Sequence, residues 1–196
     1  MVSRAWLCII SLLTCFFILG CASIRFSKEA PEAKDFHPQT LALIALEAGG
    51  YEGVKEPLEE MILGELKRRN WFRQVWGPGE IYRLMEQNEE IRRLMGDYLA
   101  KLRQLNFSDG ELSKKIFSLT GMEAFLLVSV DFWYYTKEAG ENIAKVGLTM
   151  KLYDTKTGKQ MWKGGHHQAV SYVLMKPELT NLAKEVVKQM IGVMPH

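Results

Sequence analysis

Apolar and polar positions alternate strictly from Lys145 to Leu152. Val146, Leu148, Met150 and Leu152 fall on one side, and Lys145, Thr149 and Lys151 on the other. A period of two is the pattern of a strand with one buried and one solvated face. Asp154-Thr155-Lys156-Thr157-Gly158 then reads as a hairpin loop. Asp154 can bond its own downstream backbone, Gly158 can take a positive φ, and Asp154, Thr157 and Gly158 form the turn motif. A returning strand passes through Met161 and Trp162. Upstream, residues 125–135 (FLLVSVDFWYY) make a third strand, with residues 137–142 as the turn between. Regular alternation puts Leu126, Val128, Val130 and Phe132 on one face, and Ser129, Asp131, Trp133 and Tyr135 on the other. The three strands form an antiparallel meander.

The remaining pattern supplies helices and two shorter strands. Residues 41–46 are a continuous apolar run, as in a buried strand. Val54, Leu58, Met61, Ile62 and Leu66 recur at three- and four-residue steps, which predicts an amphipathic helix closing on Lys67-Arg68-Arg69-Asn70. That basic cluster complements the helix dipole. WFRQVW (71–76) is a short aromatic strand stopped by Gly77-Pro78-Gly79. Ile81 through Leu105 carry a helical stripe with a break near Asn88, and Ser108-Asp109-Gly110-Glu111 resembles a capping box that starts another helix. A last helix runs within 177–194. The order is β-α-β-α-α-β-β-β-α, an α/β (α+β) domain with a mixed sheet of about five strands and flanking helices.

The N-terminus has a different character. Arg4 precedes the apolar residues 5–19, the length of a secretory leader and too short for a spanning helix. The leader ends in Ile18-Leu19-Gly20-Cys21, which resembles the bacterial lipoprotein signal. That resemblance implies cleavage before Cys21 and acylation of Cys21, with an ordinary leader or an N-terminal membrane anchor as the alternative. Ala22 after the cysteine implies sorting to the outer membrane. Residues 1–20 are then a signal peptide, 21–39 a lipidated N-terminus and flexible tether, and 40–196 a single periplasmic domain. Removing 20 of 196 residues leaves 176, enough for one domain with its own core. The full chain has 25 basic and 23 acidic side chains. So near-neutral a balance argues against a nucleic-acid partner. Cys8 and Cys15 leave with the leader and Cys21 carries lipid, so no thiol remains for a disulfide, a metal site or a nucleophile.

Signals of catalysis are sparse. The chain has no Gly-rich phosphate loop, no G-x-S-x-G and no H-E-x-x-H. His166-His167 are strand neighbours and point to opposite faces, so they do not chelate one metal; an exposed strand end fits them better. Asp131 is expected to pair with Lys145 or Lys151. We expect no enzyme, no cofactor and no metal. Trp133 and Tyr135, if left uncovered by helices, are the candidate interface.

The segment from Asn70 to Val75, the Leu119-Thr120-Gly121-Met122-Glu123-Ala124 step into a strand, and above all residues 146–162 with their Asp-x-x-Thr-Gly turn and following Trp162 resemble the CsgG/LpoB/TolB-N-terminal-like lipoprotein domains. The likeness covers residues 41–194. It implies a lipid-anchored domain facing the periplasm, attached to the outer membrane and docking on an envelope protein that makes cell wall or exports material. Its alternative implication is an oligomeric secretion component, a homo-oligomer. Pore-forming members need extra membrane hairpins, and the strands here are already used by the domain's own sheet.

Overall fold

The structure, a computed structural model, describes residues 24–51 and 53–196. Six strands form one mixed sheet: β1 (Phe26–Glu29), β2 (Thr40–Glu47), β3 (Gln74–Trp76), β4 (Ala124–Glu138), β5 (Glu141–Asp154) and β6 (Gln160–Tyr172). Five helices pack on it: α1 (Lys55–Arg69), α2 (Pro78–Gln87), α3 (Glu89–Leu105), α4 (Gly110–Thr120) and α5 (Leu179–Gly192). The strand order is β1-β6-β5-β4-β2-β3; β2 runs parallel to β3 and β4, and every other pair is antiparallel. The α+β architecture is the one the sequence pattern predicts, with one strand more.

That additional strand, β1, lies inside the stretch read as tether. Phe26 pairs with Gly165 and Glu29 with Trp162, and a 3-10 turn follows at Pro31–Asp35. The Trp162 indole donates to Ser27 Oγ at 2.8 Å, and Ala30 N donates to Met161 O at 2.8 Å. The domain therefore begins at Phe26, not near residue 40. All four β1 residues are exposed, so the strand has no apolar alternation to betray it. It exists only because β6, distant in sequence, offers an edge.

α1 and α5 cover one face of the sheet. Leu58, Ile62 and Leu66 of α1 and Val186, Val187 and Met190 of α5 bury Leu126, Val128, Leu148, Met150, Leu152 and Trp162. On the other face α2, α3 and α4 bury Ala42, Phe125, Leu127 and Tyr153 beneath Ile81, Leu94, Met95, Tyr98 and Ile116. β2 sits between both layers, which explains its continuous apolar run. A bulge between Leu43 and Ala45 lets Leu41, Leu43 and Leu46 share one face while Ala42 and Ala45 share the other.

Helix ends follow the sequence signals. Asn70, at φ 55°, closes α1; Asn88 ends α2 and accepts from Ile91 N with its side chain to begin α3. The cap of α4 is Asp109, whose carboxylate accepts from Glu111 N and Leu112 N. Ser108, expected to start the capping box, instead hydrogen-bonds the Tyr98 hydroxyl at 2.9 Å. Among the described residues no helix is long and apolar enough to cross a membrane.

Candidate functional site

The helices on the second face stop short. They cover β3, β2, the first part of β4 and the end of β5, and leave bare the face of β1, β6, the rest of β5 and the far half of β4. What that open face displays is decided by a bulge. Val130 pairs with Leu148, but Phe132 pairs with Gly147, so Asp131 is an extra residue in β4. An extra residue inverts every later side chain relative to strict alternation. Trp133 and Tyr135 consequently share the face of Val130, packed with Ala144, Val146, Leu182 and Ala183 under α5. The Tyr135 hydroxyl donates to Pro177 O at 2.8 Å. The expected outward pair thus points inward, and Phe132 and Tyr134 take its place on the open face.

Two glycines seat the aromatic rings there. The Phe132 ring lies on Gly147, where a Cβ would come within 2.5 Å of Phe132 Cδ2. The Phe26 ring lies across Gly165 in the same way. Phe132 meets Tyr134 and His167 edge to face, at centroid distances of 6.0 and 6.1 Å. Lys145 Nζ sits 4.9 Å from the Phe132 centroid and 3.4 Å from Glu138. Thr149 Oγ1 donates to Asp131 Oδ2 at 2.8 Å; that threonine is the partner of Asp131, where Lys145 or Lys151 was expected.

Beside the aromatics runs a row of like charges. Lys28 of β1 lies opposite Lys163 of β6, and Lys163 lies opposite Lys151 of β5. Like charges directly across a sheet are destabilising. The cost is visible at Lys151, whose ammonium is pulled below its usual range by burial first and by the Lys163 charge second. Lys151 finds one neutral partner, Asn106 Oδ1 at 2.8 Å, and Lys163 leans over the Phe26 ring at 5.7 Å. Leu105 and Phe107, the exposed neighbours of Asn106, border this row. Among the described residues no carboxylate forms an ion pair with Lys28, Lys151 or Lys163, and Glu47 acts on Lys151 only as a weaker, opposing charge, so the face combines aromatic area with an excess of positive charge.

Other residues singled out by the sequence fall elsewhere. His167 is on the open face, its imidazole held below the ordinary range by burial and then by the Arg25 and Lys145 charges. His166 points the opposite way. It is buried, not an exposed strand end; among the described residues neither ring nitrogen has a well-formed hydrogen bond, and Gln189 is the polar side chain that acts on it. Burial is the main cause that holds its pKa down. In the Lys67-Arg68-Arg69 cluster the two arginines are engaged: both bond Glu65, and Arg69 also donates to Lys188 O and lies over Trp71.

Asp154, Thr157 and Gly158 build the turn. Asp154 accepts from Lys156 N at 2.9 Å and from the Thr157 hydroxyl at 2.6 Å. Gly158, at φ 72°, packs its backbone directly on Gly110 at the start of α4, leaving no room for a Cβ. The turn locks α4 to the sheet, a structural role. Cys21 and Ile18, Leu19 and Gly20 lie outside the described residues.

No family model matches the chain, and no curated protein is significantly similar to it. Among solved structures, the PelC dodecamer from Paraburkholderia phytofirmans is similar at TM-score 0.54 and 14% identity, over 88% of this chain and 96% of that one. Lipoprotein GNA1162 from Neisseria meningitidis is similar at TM-score 0.52 and 14% identity, over 79% and 98%. The hypothetical protein CT253 from Chlamydia trachomatis follows at TM-score 0.51 and 9% identity, over 80% and 98%. Identities this low speak to fold alone. The chain has the fold of a set of bacterial domains that includes a solved lipoprotein.

Proposed function

We propose that this chain is a non-catalytic docking domain of the bacterial envelope, held to the outer membrane by lipid on Cys21 and facing the periplasm. It serves there as an accessory or assembly factor of a cell-wall synthesis or export machine, in kinship with the CsgG/LpoB/TolB-N-terminal-like domains. The Ile18-Leu19-Gly20-Cys21 pattern and the fold shared with a lipoprotein support the setting. The observation that carries the role is the bare half-sheet with Phe132, Tyr134 and the Lys28–Lys163–Lys151 row. Half-exposed aromatics beside an excess of positive charge fit a protein surface of the opposite sign: apolar contact supplies affinity, and charge sets register and association rate. The occupant is an acidic envelope protein.

The test is a photo-crosslinking residue at Tyr134, compared with one at Tyr82, an exposed position on α2. Position 134 should yield one discrete adduct in intact cells and position 82 none. Lys151→Glu with Lys163→Glu should abolish the adduct while leaving the fold intact. Equal labelling from both positions would refute the reading. One observation favours a second reading, an oligomeric secretion component: a solved protein of this fold is a dodecamer. In that case the adduct would have twice the mass of the chain.

A further inference from the structure

The loop between β6 and α5 begins with three consecutive large apolar residues, Val173, Leu174 and Met175, which are 89%, 94% and 86% exposed. Its base is braced. Tyr135 donates to Pro177 O at 2.8 Å, and Lys176 Nζ stands 3.6 Å from the Tyr135 ring centroid. Bracing the base while exposing the tip holds this apolar area in water at a standing cost. Something apolar must meet it.

The path of the chain indicates what. β1 runs antiparallel to β6, so moving backward from Glu29 to Phe26 leads toward Tyr172 and the tip. Phe26 is the last paired residue of β1, opposite Gly165, and Arg25 stands one step beyond it. Only four steps separate Arg25 from Cys21, a reach of at most about 14 Å. From His167 to Tyr172, β6 climbs a further ~17 Å before the tip begins. An acyl group on Cys21 therefore lies no farther along this axis than the tip itself. A tether that short cannot hold a bilayer clear of Val173, Leu174 and Met175 on the side of the domain where the tip stands.

We infer that the Val173-Leu174-Met175 tip enters the interfacial layer of the membrane that holds the lipid anchor, and so fixes the orientation of the domain on that surface. The inference rests on the proposed acylation of Cys21. Charges near the tip are mixed: Lys137 and Lys176 against Glu138, Glu141 and Glu178. Entry is thus driven by apolar area and not by anionic headgroups. In this orientation the strands stand up from the membrane, and the open face looks sideways, free to receive a partner.

The experiment places an environment-sensitive fluorophore on Leu174→Cys in the full chain, with Cys8→Ser and Cys15→Ser. The protein is reconstituted in phosphatidylcholine vesicles, with and without phosphatidylglycerol. The expected result is a blue-shifted, several-fold brighter signal, quenched by lipids brominated near the carbonyl and insensitive to phosphatidylglycerol and salt. A label at Ser118 on α4 should remain in water, and Val173→Ser with Met175→Ser should reverse the shift at 174. A water-like signal at 174 in chains that sediment with the vesicles overturns the inference while leaving the anchor. Shielding that depends on protein concentration and resists brominated lipid also overturns it, because a second copy then covers the tip. The same label in a Cys21→Ser chain separates the two readings. Quenching there on addition of vesicles supports the tip even if mass spectrometry finds no acyl group on Cys21, and its absence in such a protein counts against the tip.

Discussion

Deleting Asp131 tests the rule that decides which aromatics face the partner. In the native ladder Val130 opposes Leu148 and Phe132 opposes Gly147, with Asp131 supernumerary. Removing it restores plain alternation and leaves Phe132 outward and Trp133 and Tyr135 inward. The loss is one exposed hydrogen bond, from Thr149 Oγ1 to Asp131 Oδ2, a net cost of about 1 kcal/mol or less. Deleting Tyr134 is the contrasting case. The ladder can then heal by exposing Tyr135, or by absorbing the bulge and exposing Trp133; either way one aromatic leaves α5. A half-buried ring keeps on the order of 100 Å² from water, about 2.5 kcal/mol at 25 cal/mol/Å². Tyr135 also loses its bond to Pro177 O, about 1 kcal/mol more. With a urea slope of about 2 kcal/mol/M, the Asp131 deletion should move the midpoint by roughly 0.5 M or less, and the Tyr134 deletion by more than about 1 M. Equal losses in the two variants would show that the bulge does not set the phase of β4.

Two further outcomes follow from buried polar groups. Thr155, fully buried, donates to Met122 O at 2.6 Å; Thr155→Val keeps the shape, leaves that carbonyl unpaired, and should cost about 1–3 kcal/mol in urea titration, a change under about 0.5 kcal/mol refuting it. His166 and His167 are both held below the ordinary imidazole value of 6.5. The unfolded chain therefore takes up these protons first, so stability is complete above that value and declines as pH falls through it toward the folded values. Each imidazole contributes a slope of at most about 1.4 kcal/mol per pH unit. His166→Leu should flatten the decline above the carboxylate range, and an unchanged slope would show that His166 does not titrate on unfolding.

Where sequence and structure part, the cause is a long-range pairing. Side-chain period, caps and turn chemistry are local, so the meander, the Asn88 break and the Asp154–Gly158 turn are legible from neighbours in the chain. The phase of β4 after Val130 is not: FLLVSVDFWYY alternates smoothly, and only the seating of Phe132 on Gly147 of β5 reveals the extra residue. The full lysine row is equally hidden: Lys151 and Lys163 face each other within the β5–β6 hairpin, but Lys28 joins them only when β1 adds to β6. His166 reads as an exposed strand end until α5 packs over it.

By itself the sequence determined the class of fold, the apolar stripes of the helices, the Asp154–Gly158 turn, and an apolar N-terminal run that ends in Ile18-Leu19-Gly20-Cys21. These depend on chemistry between residues close along the chain. Tertiary structure alone decided where the domain starts, which aromatics look outward, and which half of the sheet stays bare. Those depend on strand register and on how far the helices reach, quantities set by partners that are many residues away.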